Sequence, residues 1–253
     1  LKCRDRGDLI LALDKDGHFG VPTPVSPVGV RLKKRIAAFN TQAFKDGMFE
    51  MQDAGSQAVA LLVEAKPGQK VIDFCAGAGG KTLAIAATMG NKGRILAWDN
   101  SANRLAQITK RLARAGVSNV QTHVLRDEAD PHLKRHVGSA DWVLVDAPCS
   151  GLGTLRRNPD LKWRQSPKAI DELTVKQAAI LDSAARLVKA GGRLVYATCS
   201  LLQAENEAVA DAFTAERAED FTPVPAADAL AAAHVDLAEG LVSGPYLRLW
   251  PHR

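Results

Sequence analysis

The stretch Val143-Leu-Val-Asp-Ala-Pro-Cys-Ser-Gly151 joins an apolar run to a carboxylate, a proline and a thiol. Continuous apolar residues predict a strand that is buried on both faces, and the proline ends it. A second apolar run, at residues 193–197, also leads to a thiol, Cys199. In an open parallel sheet, ligands lie outside the carboxyl ends of the strands. We therefore expect Asp146, Cys149 and Cys199 to share one crevice.

From residue 57 onward, apolar strand-like runs alternate with helical segments, which is typical of βαβ units on a mostly parallel sheet. The predicted strands are residues 70–74, 94–98, 120–125, 142–145 and 193–197. The predicted helices cover residues 81–89, 101–115, 169–189 and 203–216. This order favours a Rossmann-like α/β fold with helices on both faces of the sheet. Residues 246–250 are a candidate last strand.

Residues 1–55 read as a separate small segment. A helix is predicted at residues 8–14, prolines interrupt the next stretch, and a basic cluster follows at Arg31, Lys33, Lys34 and Arg35. So short a segment cannot build a good core alone, and we expect a small N-terminal α/β appendage packed on a catalytic domain of residues 56–253. A purely structural role is the default interpretation of this segment, and a basic face beside the active site is the more specific alternative.

The composition is that of an ordinary globular protein, with 46% hydrophobic and 24% charged residues in 253. The net charge of +5 is compatible with a polyanionic partner but does not establish one. The sequence has neither an apolar run of about 18 residues nor a basic-then-apolar leader, so we expect no membrane span and no signal peptide. A first residue of Leu1 suggests a fragment of a longer protein.

The four cysteines are Cys3, Cys75, Cys149 and Cys199. None forms a C-x-x-C pair or has a histidine at metal-ligand spacing, so neither a metal site nor a disulfide framework is expected. Free thiols indicate a reducing compartment and predict a cytoplasmic protein. A monomer is the expected oligomeric state, although no residue pattern determines it.

A glycine-rich turn, Asp73-Phe-Cys-Ala-Gly-Ala-Gly-Gly-Lys-Thr82, follows the first strand and opens a helix, where backbone can approach a ligand closely. A dinucleotide fingerprint needs a third glycine where Thr82 stands. A P-loop needs its first glycine where Cys75 stands. The remaining candidate is S-adenosylmethionine, which has no pyrophosphate and does not need the full phosphate cradle.

Acidic residues follow successive predicted strands. Asp73 ends the first strand, Asp99 follows the second and Asp127 follows the third. We expect Asp99 to hold the ribose diol of the cofactor and Asp127 to lie near its adenine. Each aspartate taken alone is more readily explained as a helix cap or a surface residue. Together with the glycine turn, however, they favour a ligand that carries a cationic sulfonium and an ammonium group.

Two thiols beside a methyl donor suit the methylation of an aromatic carbon, which is a poor nucleophile. A thiolate that adds to carbon 6 of a pyrimidine makes carbon 5 able to attack a sulfonium methyl group, which is covalent catalysis. The attacking cysteine must be a thiolate, so its pKa should be lowered locally. An acid such as Asp146 near ring nitrogen 3 would stabilise the adduct.

With these motifs, nearly the whole chain resembles the Sun/Fmu-type (RsmB-like) RNA (cytosine-5)-methyltransferases. The most specific segments are Asp146-Ala-Pro-Cys-Ser-Gly-Leu-Gly-Thr154, Arg156-Arg-Asn-Pro-Asp-Leu-Lys-Trp163 and Tyr196-Ala-Thr-Cys-Ser200 with Glu205-Asn206. The resemblance implies a class I methyltransferase fold, Cys199 as the nucleophile, Cys149 as the thiol that assists product release, and Asp146 in contact with both cofactor and base. It implies that the cofactor is bound by Cys75, Ala76, Gly77, Ala78, Gly79, Gly80, Lys81, Asp99, Arg104, Asp127 and Asp146.

The chain departs from the family pattern in the cofactor turn and at its ends. The family usually has Ala-Pro where this chain has Gly77-Ala78. Loss of the proline loosens the turn but removes no reacting group. Many members carry an additional N-terminal RNA-binding domain, and residues 1–55 resemble the end of the RNA-facing module that precedes the catalytic domain.

The loop after Gly151 is basic and contains one aromatic residue, Trp163. Arg156, Arg157, Lys162 and Trp163 are the predicted RNA contacts, with the tryptophan as a stacking face for an unstacked base. A solvated basic loop would have the same composition, and RNA rather than DNA follows from the resemblance only. The predicted function is cytosine carbon-5 methylation of ribosomal RNA. The same chemistry on tRNA, and a catalytically weak RNA-binding or ribosome-assembly factor, remain open.

Overall fold

The computed structural model describes residues 2–3, 5–24, 26–233, 235 and 240–250. Its N-terminal part is a small α/β unit with the elements α1 (Arg6–Lys15), β1 (Gly20–Pro22), β2 (Val30–Leu32) and α2 (Gln42–Lys45). The two strands pair antiparallel. Leu9, Leu13 and Ala43 form a buried cluster of their own. The predicted helix at residues 8–14 lies inside α1, which ends before Gly17.

The main sheet has five strands in the order β5-β4-β3-β6-β7, and every neighbouring pair is parallel. Its elements, together with the helices that precede and connect them, are α3 (Ala54–Leu62), β3 (Lys70–Asp73), α4 (Gly80–Thr88), β4 (Arg94–Asp99), α5 (Ala102–Ala115), β5 (Val120–Val124), β6 (Ala140–Asp146), α6 (Leu161–Arg164), α7 (Pro167–Ala185) and β7 (Val188–Ala197). After the sheet come α8 (Glu207–Glu216), α9 (Ala226–Ala232), β8 (Val242–Ser243) and β9 (Tyr246–Leu247).

The central strands are apolar throughout because both faces of the sheet are covered. Successive side chains of a strand point to opposite faces. Ile72 and Val143 therefore pack in one cluster with Leu181 of α7, whereas Val71 and Leu144 pack in another with Ile85 of α4. This confirms the predicted α/β arrangement, with a parallel sheet between two helical layers.

All five predicted strands are present, but three other sequence expectations need correction. The helix predicted at 169–189 ends at Ala185, and β7 begins at Val188, which pairs with Ala140. The helix predicted at 203–216 is a 3-10 turn (Gln203–Glu205) followed by α8. The strand predicted at 246–250 is only β9, which pairs antiparallel with β8 outside the main sheet.

The N-terminal unit contacts α5 through a compact set of interactions. The carboxylate of Glu50 forms ion pairs with Arg111 and Arg114, and the Arg114 guanidinium lies 3.9 Å from the centre of the Phe44 ring. Gly47 has a φ of +76°, and a Cβ there would lie 2.0 Å from the Arg114 carbonyl oxygen. Residues 44–50 therefore pack on α5, while the division of the chain into an appendage and a catalytic domain stays a prediction. The exact boundary near residue 55 stays a prediction.

Among the described residues, no helix is both long and apolar enough to cross a membrane.

Candidate active site

The predicted crevice lies at the carboxyl edge of the sheet, where β6 and β7 end side by side. Asp146 pairs in register with Ala197. The loops that follow these residues bring the Cys149 and Cys199 sulfurs to 3.3 Å from each other. A glycine in the loop after β6, Gly153, passes so close that its N–H donates to the Cys199 carbonyl at 2.9 Å. The structure thus brings together the three residues that the sequence placed in one site.

The two thiols are not equivalent. Their hydrogen bond lowers the pKa of Cys199 and, together with burial, raises the pKa of Cys149. Either sulfur can donate this hydrogen bond, but the opposite directions of the two pKa shifts favour Cys149 as the thiol and Cys199 as the thiolate. Cys199 is also the exposed one of the pair, while Cys149 is partly buried. Cys199 therefore combines lowered pKa with access from solvent, which are the two properties of a nucleophilic cysteine.

A lysine connects the thiol site to the glycine turn. The Lys81 Nζ lies 2.5 Å from Asp146 Oδ2. Lys81 belongs to the first turn of α4, and Asp146 is the last residue of β6. Asp146 and Lys81 also act on Cys199 in opposite directions, since the carboxylate raises its pKa and the ammonium lowers it. The ion pair thus lies between the cofactor turn and the reacting sulfur.

The glycine turn itself adopts the conformation that its sequence predicts. Gly77 and Gly79 have φ values of +55° and +80°, in the region that other residues rarely adopt. A Cβ at Gly79 would lie 2.8 Å from the Ile108 side chain, so this glycine allows α5 to pack closely. A Cβ at Gly77 would meet nothing within 4 Å. That side of the turn is open space that a ligand can occupy.

Asp99, at the end of β4, faces this turn. Its Oδ2 accepts the Gly77 N–H at 2.9 Å and its Oδ1 accepts the Ser101 N–H at 2.8 Å. Asp99 is only 5% exposed. The Nη1 of Arg104, a mostly exposed side chain, lies 3.7 Å from Asp99 Oδ2. Each carboxylate oxygen keeps a further acceptor site. The open turn and this oriented carboxylate fit the diol and backbone contacts that S-adenosylmethionine requires.

Two more residues of this region are Asp73, which is buried, and Cys75, which is partly buried. The Asp73 side chain accepts a hydrogen bond from Thr82 Oγ1 at 2.7 Å, and burial raises its pKa to about 7. Burial also raises the pKa of Cys75, which makes this thiol a poor nucleophile. Asp127, by contrast, lies in an exposed loop after β5, where its Oδ1 caps the Ala129 N–H at 2.9 Å. All three remain beside the carboxyl edge, as their positions after strands predict.

The sequence did not single out Arg111 as a site residue. Its guanidinium donates to the Ala78 carbonyl of the glycine turn at 2.5 Å and pairs with Glu50. Ala78 stands where the family usually has a proline, so this contact supports a turn that lacks the proline's rigidity. The three-residue link Glu50–Arg111–Ala78 also connects the N-terminal unit to the cofactor turn. Only the position of Arg111 on the helix next to the turn could have indicated it.

The predicted RNA-contacting loop is exposed. Trp163 is 81% exposed, and the Lys162 Nζ lies 4.8 Å from the centre of its ring. Arg157 pairs with Asp53 at the beginning of α3, and Arg156 is exposed nearby in sequence. The loop therefore presents an aromatic face and positive charge to solvent. At its beginning, the Gly153 N–H donates a hydrogen bond to the Cys199 carbonyl, which keeps the loop close to the thiols.

A family model described as 16S rRNA methyltransferase RsmB/F matches residues 60–253. The chain belongs to the RsmB/F methyltransferase family. This confirms the Sun/Fmu-type resemblance, and the α/β fold described above is the class I methyltransferase fold. RsmB/F proteins are S-adenosylmethionine-dependent, which agrees with the open glycine turn and Asp99.

Relatives and solved structures support the same family. A probable ribosomal RNA small subunit methyltransferase B from Synechocystis sp. is 42% identical over 200 residues, which cover 79% of this chain and 44% of the relative. A methyltransferase homologue from Pyrococcus horikoshii superposes with a TM-score of 0.73 at 31% identity, covering 87% of this chain and 68% of that one. NSun6 from the same organism, crystallised with the S-adenosylmethionine analogue SFG, has a TM-score of 0.65 at 33% identity, with 75% and 49% covered.

The chain spans about half the length of the curated RsmB relatives that it matches, with 44% of the Synechocystis protein and 46% of one from Salmonella arizonae covered. In the part of the chain that the structure describes, no group of three or more His, Cys, Asp and Glu side chains is arranged to hold a metal ion. The expectation that the RsmB/F chain needs no metal stays a prediction.

Proposed function

We propose that this protein transfers a methyl group from S-adenosylmethionine to carbon 5 of a cytosine in ribosomal RNA. One observation carries the proposal: a pair of thiols 3.3 Å apart, of which the exposed one has the lowered pKa, lies beside an ion pair that reaches into the cofactor turn. Methyl transfer to nitrogen or oxygen would need no such pair. The names of the relatives support ribosomal RNA as the substrate class.

Cys199 is the proposed nucleophile. Its thiolate adds to carbon 6 of the cytosine, which forms a carbon–sulfur bond and places electron density on carbon 5. When bound, S-adenosylmethionine supplies the electrophilic methyl group that carbon 5 accepts. The residues assigned to holding it are those of the turn (Cys75, Ala76, Gly77, Ala78, Gly79, Gly80 and Lys81) with Asp99, Arg104, Asp127 and Asp146.

Asp146 is proposed to stabilise the adduct at ring nitrogen 3. Attack at carbon 6 raises the basicity of ring nitrogen 3, which takes up a proton, and a carboxylate beside it can hold that N–H by a hydrogen bond. The 2.5 Å contact between Lys81 and Asp146 keeps the two groups together at the carboxyl edge. This contact supports the proposal that Asp146 lies between the cofactor and the target base.

Cys149 is proposed to assist product release. After methyl transfer, carbon 5 carries both a methyl group and a hydrogen, and loss of that hydrogen as a proton breaks the bond to Cys199 by elimination. The largest cause that raises the pKa of Cys149 is its hydrogen bond to Cys199. This cause disappears when the Cys199 sulfur becomes a thioether. Formation of the adduct therefore makes Cys149 easier to deprotonate at the stage when a base is needed.

The RNA itself is proposed to contact the exposed loop through Arg156, Arg157, Lys162 and Trp163. Base-on-aromatic stacking and phosphate contacts from basic residues are the usual means of holding an unstacked strand. The target cytosine must leave any base stack to reach the thiols. A bacterial-type ribosomal RNA substrate also implies a cytoplasmic protein, which agrees with its free thiols.

Methylation of purified small-subunit ribosomal RNA tests this proposal. The protein is incubated with the RNA and S-adenosylmethionine carrying a labelled methyl group, and bisulfite sequencing then locates protected cytosines. We expect one or a few protected cytosines with the wild-type chain and none with Cys199→Ala. Label on an adenine or guanine, or equal protection by Cys199→Ala, would contradict the proposal.

A further inference from the structure

Glu205 is a fully buried carboxylate that the proposed mechanism does not use. It is 0% exposed and follows the end of β7, in the 3-10 turn Gln203–Glu205. None of the ion pairs between described residues includes it. A buried charge without an ionic partner is costly unless hydrogen bonds compensate it. The residues that compensate Glu205 therefore indicate what it does.

The hydrogen-bond donors to Glu205 come mainly from the residues that follow the two thiols. Ser150 donates its N–H to Oε1 at 2.8 Å and its hydroxyl to Oε2 at 2.5 Å. Ser200 donates its hydroxyl to the same Oε2 at 2.5 Å. Gln177 of α7 supplies the fourth donor, at 3.0 Å from Oε1. The Glu205 carboxylate thus binds both Ser150 and Ser200, and each of these serines directly follows one of the two thiols.

We propose that Glu205 is a positioning residue that sets the spacing of the two thiols. Consecutive Cα atoms are only about 3.8 Å apart, so fixing Ser150 and Ser200 on one carboxylate restricts Cys149 and Cys199 directly. A carboxylate accepts hydrogen bonds and donates none, so both serine hydroxyl hydrogens point to it. The catalytic consequence rests on the proposed function, whereas the spacing itself does not.

Gln177 extends this arrangement to the residue before Cys149. Its amide nitrogen donates to the Pro148 carbonyl at 2.9 Å as well as to Glu205. Pro148 immediately precedes Cys149, so the loop is held on both sides of that thiol. The Tyr196 hydroxyl donates to the Glu205 carbonyl at 2.8 Å, which anchors the carboxylate's own backbone to β7. Glu205 is thus fixed to the sheet and to α7. We call the Glu205 carboxylate with its hydrogen bonds to Ser150 and Ser200 the clamp, because it holds the residues next to both thiols in place.

The test combines a measurement of thiol spacing with a measurement of turnover. Glu205→Ala removes the clamp, whereas Glu205→Gln keeps its shape and can still accept from the Ser150 N–H. Glu207→Gln is the matched control, because Glu207 is a buried carboxylate two residues away that pairs with Arg248 instead. All variants are made in a Cys3→Ser background, and folding is checked by circular dichroism and thermal melting.

A short bifunctional thiol reagent reports the spacing without RNA or cofactor. We expect Glu205→Ala to be cross-linked between Cys149 and Cys199 at least ~10-fold more slowly than wild type, and Glu205→Gln and Glu207→Gln to react at nearly the wild-type rate. In methylation assays, kcat of Glu205→Ala should fall on the order of 10- to 100-fold, as for displaced catalytic groups, with an unchanged KM for S-adenosylmethionine. Glu205→Gln should restore most of kcat.

A folded Glu205→Ala variant that cross-links and turns over at wild-type rates would overturn the proposal, and so would a Glu205→Gln variant as impaired as Glu205→Ala. If Glu205→Ala does not fold, Ser200→Ala replaces it, since this change removes one arm of the clamp and should slow cross-linking in the same direction. A wild-type chain without methyltransferase activity would refute the proposed function but leave the cross-linking comparison valid.

Discussion

Asp99→Asn should weaken S-adenosylmethionine binding by about 10- to 100-fold. A hydrogen bond to a charged group contributes about 1.5–3 kcal/mol, and each 1.4 kcal/mol is about tenfold in Kd. The carboxylate is buried and oriented by the Gly77 and Ser101 N–H groups, and each of its oxygens keeps a further acceptor site. The asparagine side chain has only one oxygen, so only one of the two N–H groups keeps its acceptor. The variant should therefore also lose about 1–3 kcal/mol of stability.

Isothermal titration calorimetry measures the cofactor Kd, and chemical denaturation measures the stability. Asp141→Asn is the matched control, because Asp141 accepts the Lys70 N–H at 2.8 Å at the opposite edge of the sheet. It should lose stability while the cofactor Kd stays unchanged. If Asp99→Asn binds S-adenosylmethionine as tightly as wild type, Asp99 does not hold the cofactor and the assignment of this edge is wrong.

Three further predictions concern other parts of the chain. Arg111→Ala frees the carbonyl of the glycine turn and should weaken cofactor binding several-fold by calorimetry, whereas Lys110→Ala, on the exposed side of the same helix, should not. Trp163→Ala should weaken RNA binding by about 1–3 kcal/mol in a filter-binding assay at fixed salt, and Val175→Ala, 72% exposed on α7, should leave it unchanged. Burial, followed by the charge of a nearby lysine, lowers the pKa of His136 from 6.5 to about 4. Unfolding releases it to bind a proton, so stability should be complete above pH 6.5 and fall between pH 6.5 and 4; an equal slope in His136→Gln would contradict this origin.

The elements that position the site could be predicted from sequence because their signals are local. Apolar runs bounded by Gly, Pro and Asp identify all five strands of the sheet, and the position of Cys149 and Cys199 directly after two of them predicts their proximity. Parallel strands end at one edge, and because β6 and β7 are neighbours in the sheet the two thiols meet there. The glycine turn was recognisable from its place between a strand and a helix, although its spacing matches neither the dinucleotide nor the P-loop pattern.

Element ends and supporting contacts could not be predicted in this way. Only Arg186 and Leu187 separate helix α7 from strand β7, with no Gly or Pro to mark the boundary, and only the pairing of Val188 with Ala140 decides where the strand begins. Asn206 interrupts the expected helix because its side chain binds the Ser200 and Leu202 carbonyls. Arg111 acts on a residue 33 positions away in sequence. Such long-range hydrogen bonds leave no periodic pattern.

The most direct test of the central claim is the trapping of the covalent intermediate. Cys149→Ala is incubated with ribosomal RNA and S-adenosylmethionine, digested with nuclease, and analysed by intact-mass and peptide mass spectrometry. Because Cys149 is proposed to release the product, we predict that this variant accumulates a methylated nucleotide bonded to Cys199, and that Cys149→Ala combined with Cys199→Ala accumulates none. An adduct on any other residue, or methyl transfer by Cys199→Ala alone, would contradict the account.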